Sequence, residues 1–79
     1  MAKVFAQHAE AGKYHLETRY VGPRQWEWFV LDARQTSKTV FSGDTETLEA
    51  AMRNAAVRVG LYPETVKWRP IGQQVEIPD

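Results

Sequence analysis

The sequence predicts an α+β domain in which one helix packs on one face of an antiparallel three-stranded meander and a C-terminal segment adds one or two strands. Three observations predict this fold. The run from Gln25 to Ala33 is the most apolar and aromatic of the chain, as expected of a central strand. The residues from Tyr14 to Tyr20 alternate as in a strand with one buried face. Apolar residues recur at helical spacing between 48 and 59.

The first two predicted strands are joined by a turn at residues 21–24, which contains a glycine and a proline. If Tyr20 faces Trp26 across this turn, antiparallel pairing sets Arg19 opposite Glu27. Opposite charges at paired positions stabilise that register, and a slip by one residue would turn every side chain to the other face. The hairpin therefore has one preferred register.

The third predicted strand follows a second turn, at residues 34–37. Pairing with the central strand places Phe41 beside Val30 and Val40 beside Leu31. One face of the meander then collects the bulky apolar residues, which are Tyr14, Leu16, Tyr20, Trp26, Trp28, Val30 and Phe41. This is the face that the helix must cover, so we expect the aromatic side chains on it to be buried.

The helix is predicted to begin after Gly43, where Asp44 or Thr45 can accept a hydrogen bond from a free backbone N–H. Its apolar stripe is rich in alanine, which lets a helix lie close to a bulky sheet face. The stripe consists of Leu48, Ala51, Met52, Ala55, Ala56 and Val59. Gly60 can end the helix in a left-handed conformation.

The segments before the meander and after the helix show weaker strand alternation. Residues 3–7 favour a short edge strand, which residues 9–12 interrupt. After the helix, residues 65–69 and 73–77 are expected to form a closing hairpin or an extended arm.

Composition excludes several classes of protein. The chain of 79 residues is interpreted as one domain, 1–79, and has no cysteine, which rules out a disulfide framework and favours a cytoplasmic setting. Its longest apolar run, 28–31, is far shorter than a membrane span, and its start lacks the apolar core of a signal peptide. Ten basic and ten acidic residues cancel, so the field that draws a typical nucleic-acid binder to phosphates is missing.

No catalytic, metal or cofactor site is predicted, and we expect a protein that is not an enzyme. His8 and His15 fall on different predicted elements, without the short fixed spacing of a zinc site. Ser37 and Ser42 lie in or beside turns, without the strand-to-helix context of a catalytic serine. The glycines are isolated at the ends of elements and form no phosphate-binding loop.

The second face of the meander is a candidate contact surface. It places Phe29, Leu31 and Val40 in the middle of a rim of charged residues. An apolar patch of this kind usually marks an interface, and a chain this short gains core by pairing with a second copy. These three residues are therefore a predicted homodimer interface, and the alternative is that the chain's own terminal segments cover the patch.

A nucleic-acid-binding module is the alternative function. It would use basic residues together with an exposed aromatic side chain on which a base can stack. The candidates are Arg24, Arg34, Lys67, Trp68 and Arg69. Core packing is an equally available role for this tryptophan.

The order of elements resembles that of many small phage and prophage-associated proteins. The pattern is a strand, a strand with Trp-x-Trp-x-Val-x-Asp at 26–32, a strand, then Gly43, Thr45 and an alanine-rich helix. Over residues 14–59 it looks like some anti-CRISPR proteins. The resemblance implies a non-enzymatic inhibitor, in the host cell cytoplasm, that binds a CRISPR effector complex and blocks DNA recognition or nuclease recruitment.

The resemblance also directs attention to acidic residues, because many anti-CRISPR proteins carry an acidic bias that mimics DNA. Here that bias is confined to Asp44, Glu46 and Glu49, which are the candidate partner contacts. The positive end of the predicted helix is a second reason for acids at these positions.

Overall fold

The computed structural model describes residues 2–77, which form one antiparallel sheet with a helix on one face. The elements are β1 (Ala2–Ala11), β2 (Tyr14–Gly22), β3 (Gln25–Asp32), β4 (Gln35–Thr45), α1 (Leu48–Arg58), a 3-10 turn (Pro63–Thr65) and β5 (Arg69–Ile77). The sheet has the order β4-β3-β2-β1-β5. The predicted α+β class, with one helix on an antiparallel sheet, is confirmed. The helix is too short and too polar to cross a membrane.

The pairing of β2 with β3 has the predicted register. Tyr20 lies opposite Trp26, and Arg19 lies opposite Glu27. The Arg19 guanidinium donates to the Glu27 carboxylate from Nη2 at 2.7 Å and from Nε at 3.2 Å. Opposite charges thus fix a register that the apolar alternation alone already favours.

The sheet has more strands than the predicted meander, because β1 and β5 extend it. The segment predicted as a short edge strand is β1, an interior strand that pairs with β2 on one side and β5 on the other. The prediction ended this strand too early because its second half, His8 to Ala11, presents only alanines to the core. A tight turn with Gly12 at φ 61° closes the hairpin to β2.

The C-terminal segment adds one strand and not a hairpin. Gly72, at φ 75°, lies inside β5 where the pairing with β1 shifts from Val4–Val75 to Ala6–Ile71. On its other side, β1 pairs with β2 only from His8 onward. Just before that point, the buried Thr18 hydroxyl accepts from the Gln7 N–H at 2.7 Å and donates to the Gln7 carbonyl at 2.9 Å.

The pairing of β4 with β3 corrects one predicted contact. Phe41 lies opposite Val30, as predicted, but Leu31 pairs with Thr39. Val40 is therefore an extra residue in a bulge and does not lie beside Leu31. A bulge of this kind leaves one residue unpaired and bends the strand, which the alternation in the sequence does not reveal.

The helix begins later than predicted. The strand β4 continues to Thr45, which pairs with Trp26, so Asp44 and Thr45 do not cap the helix. The N-cap is Thr47, whose hydroxyl accepts from the Ala50 N–H at 3.1 Å.

The predicted glycine stop at the end of the helix is confirmed. Gly60 has φ 78° and donates to the Val57 carbonyl at 3.0 Å, and Leu61 donates to the Ala56 carbonyl at 3.0 Å. These two bonds satisfy carbonyls that would otherwise face the helix end without partners.

The core lies between the helix and the aromatic face of the sheet. Its fully packed members are Leu16, Trp26, Trp28, Val30, Ala51 and Ala55. Trp28 is only 9% exposed, as predicted for this face. Its indole reaches across from β3 and covers the backbone of Gly43 in β4, where a Cβ atom would lie 2.7 Å from three ring atoms.

Removing the Trp28 side chain should strongly destabilise the fold. We expect Trp28→Ala to lower the free energy of unfolding by about 3–5 kcal/mol, because a large cavity opens under the helix. Urea unfolding followed by circular dichroism measures the change. The control is Tyr62→Ala, at a residue that is 73% exposed, where a change within about 0.5 kcal/mol is expected. Equal stability of the two variants would contradict the core assignment.

A methyl group at Gly43 should also destabilise the protein, by overpacking instead of by a cavity. We expect Gly43→Ala to cost about 1–3 kcal/mol, because the buried indole cannot move aside freely. Gly22→Ala is the matched control, since its Cβ would meet only the Gln25 side chain at 3.9 Å. The same urea titration compares them, and a stable Gly43→Ala variant would show that the indole does not lie over β4.

Candidate partner-binding site

The sheet face opposite α1, here called the open face, carries side chains in rows that run across the strands. Residues directly opposite one another in an antiparallel pair project to the same side. The rows are Asp44, Glu27 and Arg19; Ser42, Phe29, Glu17, His8 and Arg69; and Thr39, Leu31, His15 and Glu10. The open face is therefore mainly polar, and its acidic residues outnumber its arginines.

Arg19 organises one part of the open face. It binds the Glu27 carboxylate, and its guanidinium lies 5.3 Å from the centre of the Phe29 ring. The Glu27 charge is thus neutralised within the chain, and the apolar ring is covered. Among residues 2–77, three acids of this face form no ion pair with an arginine: Asp44, Glu17 and Glu10.

Two histidines meet on the open face, which the sequence analysis missed. The ring centres of His8 and His15 lie 5.5 Å apart. His15 Nδ1 lies 2.7 Å from the Glu10 carboxylate, and Nε2 lies 3.5 Å from Glu17. The tight turn at Gly12 was the signal for this pairing, since it sets the two strands side by side. Over residues 2–77, no three acidic or histidine side chains are placed to hold a metal ion.

The structure does not gather the three predicted partner contacts into one site. Asp44 lies on the open face, opposite Glu27. Glu46 and Glu49 instead line a depression at the start of the helix, where Arg24 also lies. Glu49 stands in the first helical turn, where a negative charge also stabilises the helix dipole.

The predicted dimer interface is partly covered within the single chain. Leu31 is only 8% exposed, and Phe29 lies under Arg19. Val40, at the bulge, is 38% exposed and supplies the accessible apolar surface. The homodimer itself stays a prediction.

The candidate nucleic-acid contacts lie on separate parts of the molecule. Arg24 and Arg34 flank opposite ends of β3, an eight-residue strand, and so lie roughly 25 Å apart. Trp68 packs against the core, and its indole N–H donates to the Pro63 carbonyl at 3.2 Å. Lys67 and Arg69 lie beside His8 and Glu10, at the β1–β5 side of the open face. No common surface joins these five residues.

A groove between α1 and β4 is a further candidate that the sequence did not reveal. It encloses about 410 Å³ and is lined by Trp28, Phe41, Ser42, Asn54, Val57 and Arg58. The Arg58 guanidinium lies 4.2 Å from the centre of the Phe41 ring. The helical and strand periodicities separately place these residues, but only the crossing of α1 over the sheet brings them together.

Comparison with protein-family models, curated proteins and solved structures finds no match for the chain.

Self-association can be tested at the exposed part of the predicted interface. If two copies pair through this face, Val40→Glu should halve the mass measured by light scattering, because a charge at the bulge opposes burial. The circular dichroism spectrum should not change, since Val40 lies outside the core and the chain should stay folded. A wild-type mass of one chain at high micromolar concentration would contradict the homodimer.

Proposed function

We propose that the protein is a non-catalytic inhibitor of the anti-CRISPR type, which binds a CRISPR effector complex and blocks its recognition of DNA or recruitment of a nuclease. The observation that carries the proposal is the acidic open face. Effector complexes hold nucleic acid in positively charged channels. A sheet surface that presents carboxylates fits such a channel in the way that a phosphate backbone does.

The spacing of the carboxylates supports this mimicry. Asp44 lies on β4, Glu17 on β2 and Glu10 on β1, so the acids extend across four neighbouring strands. Neighbouring strands lie about 4.8 Å apart, which makes the acidic surface roughly 15 Å wide. Over that length one strand of duplex DNA carries about four phosphates.

The three partner contacts predicted from the sequence have different roles in this proposal. Asp44 belongs to the acidic surface, at its β4 end, and is the main contact of the three. Glu46 and Glu49 lie at the helix start near Arg24, where their charges are partly offset and also serve the helix. In the proposed complex they are peripheral contacts.

Two matched charge reversals test the proposal. We expect Asp44→Lys with Glu10→Lys to weaken inhibition by roughly tenfold or more, because both lysines would face a basic channel. Glu46→Lys with Glu49→Lys makes the same change in net charge and should weaken it much less. The measurement is a gel shift of duplex DNA by purified CRISPR effector complexes that recognise duplex DNA. Circular dichroism checks that each variant folds.

Two results would contradict the proposal. One is that the wild-type protein leaves DNA binding and cleavage by every tested effector unchanged. The other is that the open-face variant inhibits as well as the wild type. Salt-dependent binding of the protein itself to bare DNA or RNA would indicate a nucleic-acid-binding module instead.

A further inference from the structure

The groove beside α1 adjoins a free edge of the sheet. The strand β4 stands at one end of the strand order, and its residues Phe41 to Thr45 pair one by one with β3. On the outer side of such a strand, alternate N–H and C=O groups point away from the sheet. An extended chain can bind there by main-chain hydrogen bonds.

The opposite edge of the sheet is less suited to accept a strand. Pro70 in β5 has no N–H to donate, and Gly72 bends the same strand. On β4 the bulge at Val40 ends the regular stretch on one side. The segment 41–45 is therefore the part of the two edges best able to pair, and it runs along the groove.

The groove has the chemistry of a site for a carboxylate. Phe41 and the 59% exposed Val57 supply apolar surface, and Arg58 supplies a cation. None of the groove-lining residues is acidic, and Arg58 has no ion-pair partner within residues 2–77. A guanidinium held over an aromatic ring keeps its outer N–H groups free to bind a planar anion.

The Trp28 ring lines the groove and packs against the same edge of the sheet. The residue is only 9% exposed, and its indole N–H is buried without an acceptor among the described residues. The Nε1 atom lies against Gly43, in the middle of the regular edge. Because the ring packs on the backbone at the middle of this edge, the indole N–H signal should respond to a strand that pairs with residues 41–45.

We propose that this groove binds an extended, carboxylate-bearing segment of a partner protein, which pairs with residues 41–45 of β4 and places its carboxylate against Arg58. Main-chain hydrogen bonds would provide affinity, and the groove would select the side chain. Five residues of an extended chain span roughly 17 Å, which matches the regular edge. The volume of the groove is within the usual range for a ligand site.

The test uses the isotopically labelled full chain and a short peptide of alternating threonine and valine with a central glutamate and blocked termini. Two-dimensional NMR follows the backbone amides of residues 41–45 and the indole N–H of Trp28. The indole N–H of Trp68, which is bonded to Pro63, is the internal control. We expect the first set of signals to shift with added peptide and the Trp68 signal to stay.

Matched peptides and protein variants test how much the contact between the carboxylate and Arg58 contributes to binding. Replacing the central glutamate by glutamine, or Arg58 by glutamine in the protein, should each weaken binding by roughly fivefold or more. Arg53→Gln is the control variant, because Arg53 lies on the same helix but does not line the groove. It should bind the glutamate peptide as the wild type does.

Three results would overturn the inference. The first is the absence of shifts at residues 41–45 with millimolar glutamate peptide. The second is equal binding of the glutamate and glutamine peptides, or a similar loss for Arg53→Gln and Arg58→Gln. The third is protection of the amides of 41–45 that depends on the concentration of the protein alone, which would show that a second copy occupies the edge. Ser42 belongs to both surfaces, and Asp44 lies within the edge segment 41–45. The inference nevertheless depends on Arg58 and the main chain of β4, whereas the proposed function depends on the carboxylates of the open face. Arg58→Gln and the open-face charge reversals therefore let the two fail separately.

Discussion

The packing of two β3 tryptophans against a helix stripe of alanines is the contact on which the rest of the structure depends. Trp26 and Trp28 fill the space that alanines leave, so the helix lies close to the sheet without a gap. In a chain of 79 residues this pair supplies a large share of the apolar surface removed from water. The charge pair on the other face of the same hairpin then needs only to select the register, because the core already holds the strands together.

The same packing produces the groove. The indole of Trp28 is too large to stay within β3 and extends over β4, where glycine at position 43 makes room for it. Beyond the ring the helix no longer covers the sheet, and Phe41, Val57 and Arg58 surround the opening. The Trp28 packing that stabilises the core thus also produces the groove at the sheet edge, with its aromatic and cationic lining. In the proposed site, one side chain serves both stability and recognition.

The open face follows from the fact that the chain has one helix for a sheet with two faces. The uncovered face has to be compatible with water, and the cross-strand rows achieve this by placing charges over the apolar residues, as Arg19 does over Phe29. What remains accessible includes the carboxylates of Asp44, Glu17 and Glu10, which three different strands hold in place. The strands hold these charges in place before a partner arrives, which lowers the cost of ordering them in the proposed complex.

The sequence by itself determined the α+β class, the β2–β3 register, the burial of Trp28 and the glycine stop after the helix, because each depends on local periodicity or on one turn. Tertiary structure decided the rest. The strand β1 was underestimated since its alanines give little signal, and the bulge at Val40 leaves no trace in the alternation. The acids Asp44 and Glu49 are five positions apart, yet the sheet and the helix turn them to different surfaces. His8 and His15 meet across the β1–β2 hairpin, which depends on the local turn at Gly12. Phe41 and Arg58 meet only because the helix crosses the sheet, and a contact of that kind depends on the packing of the whole chain.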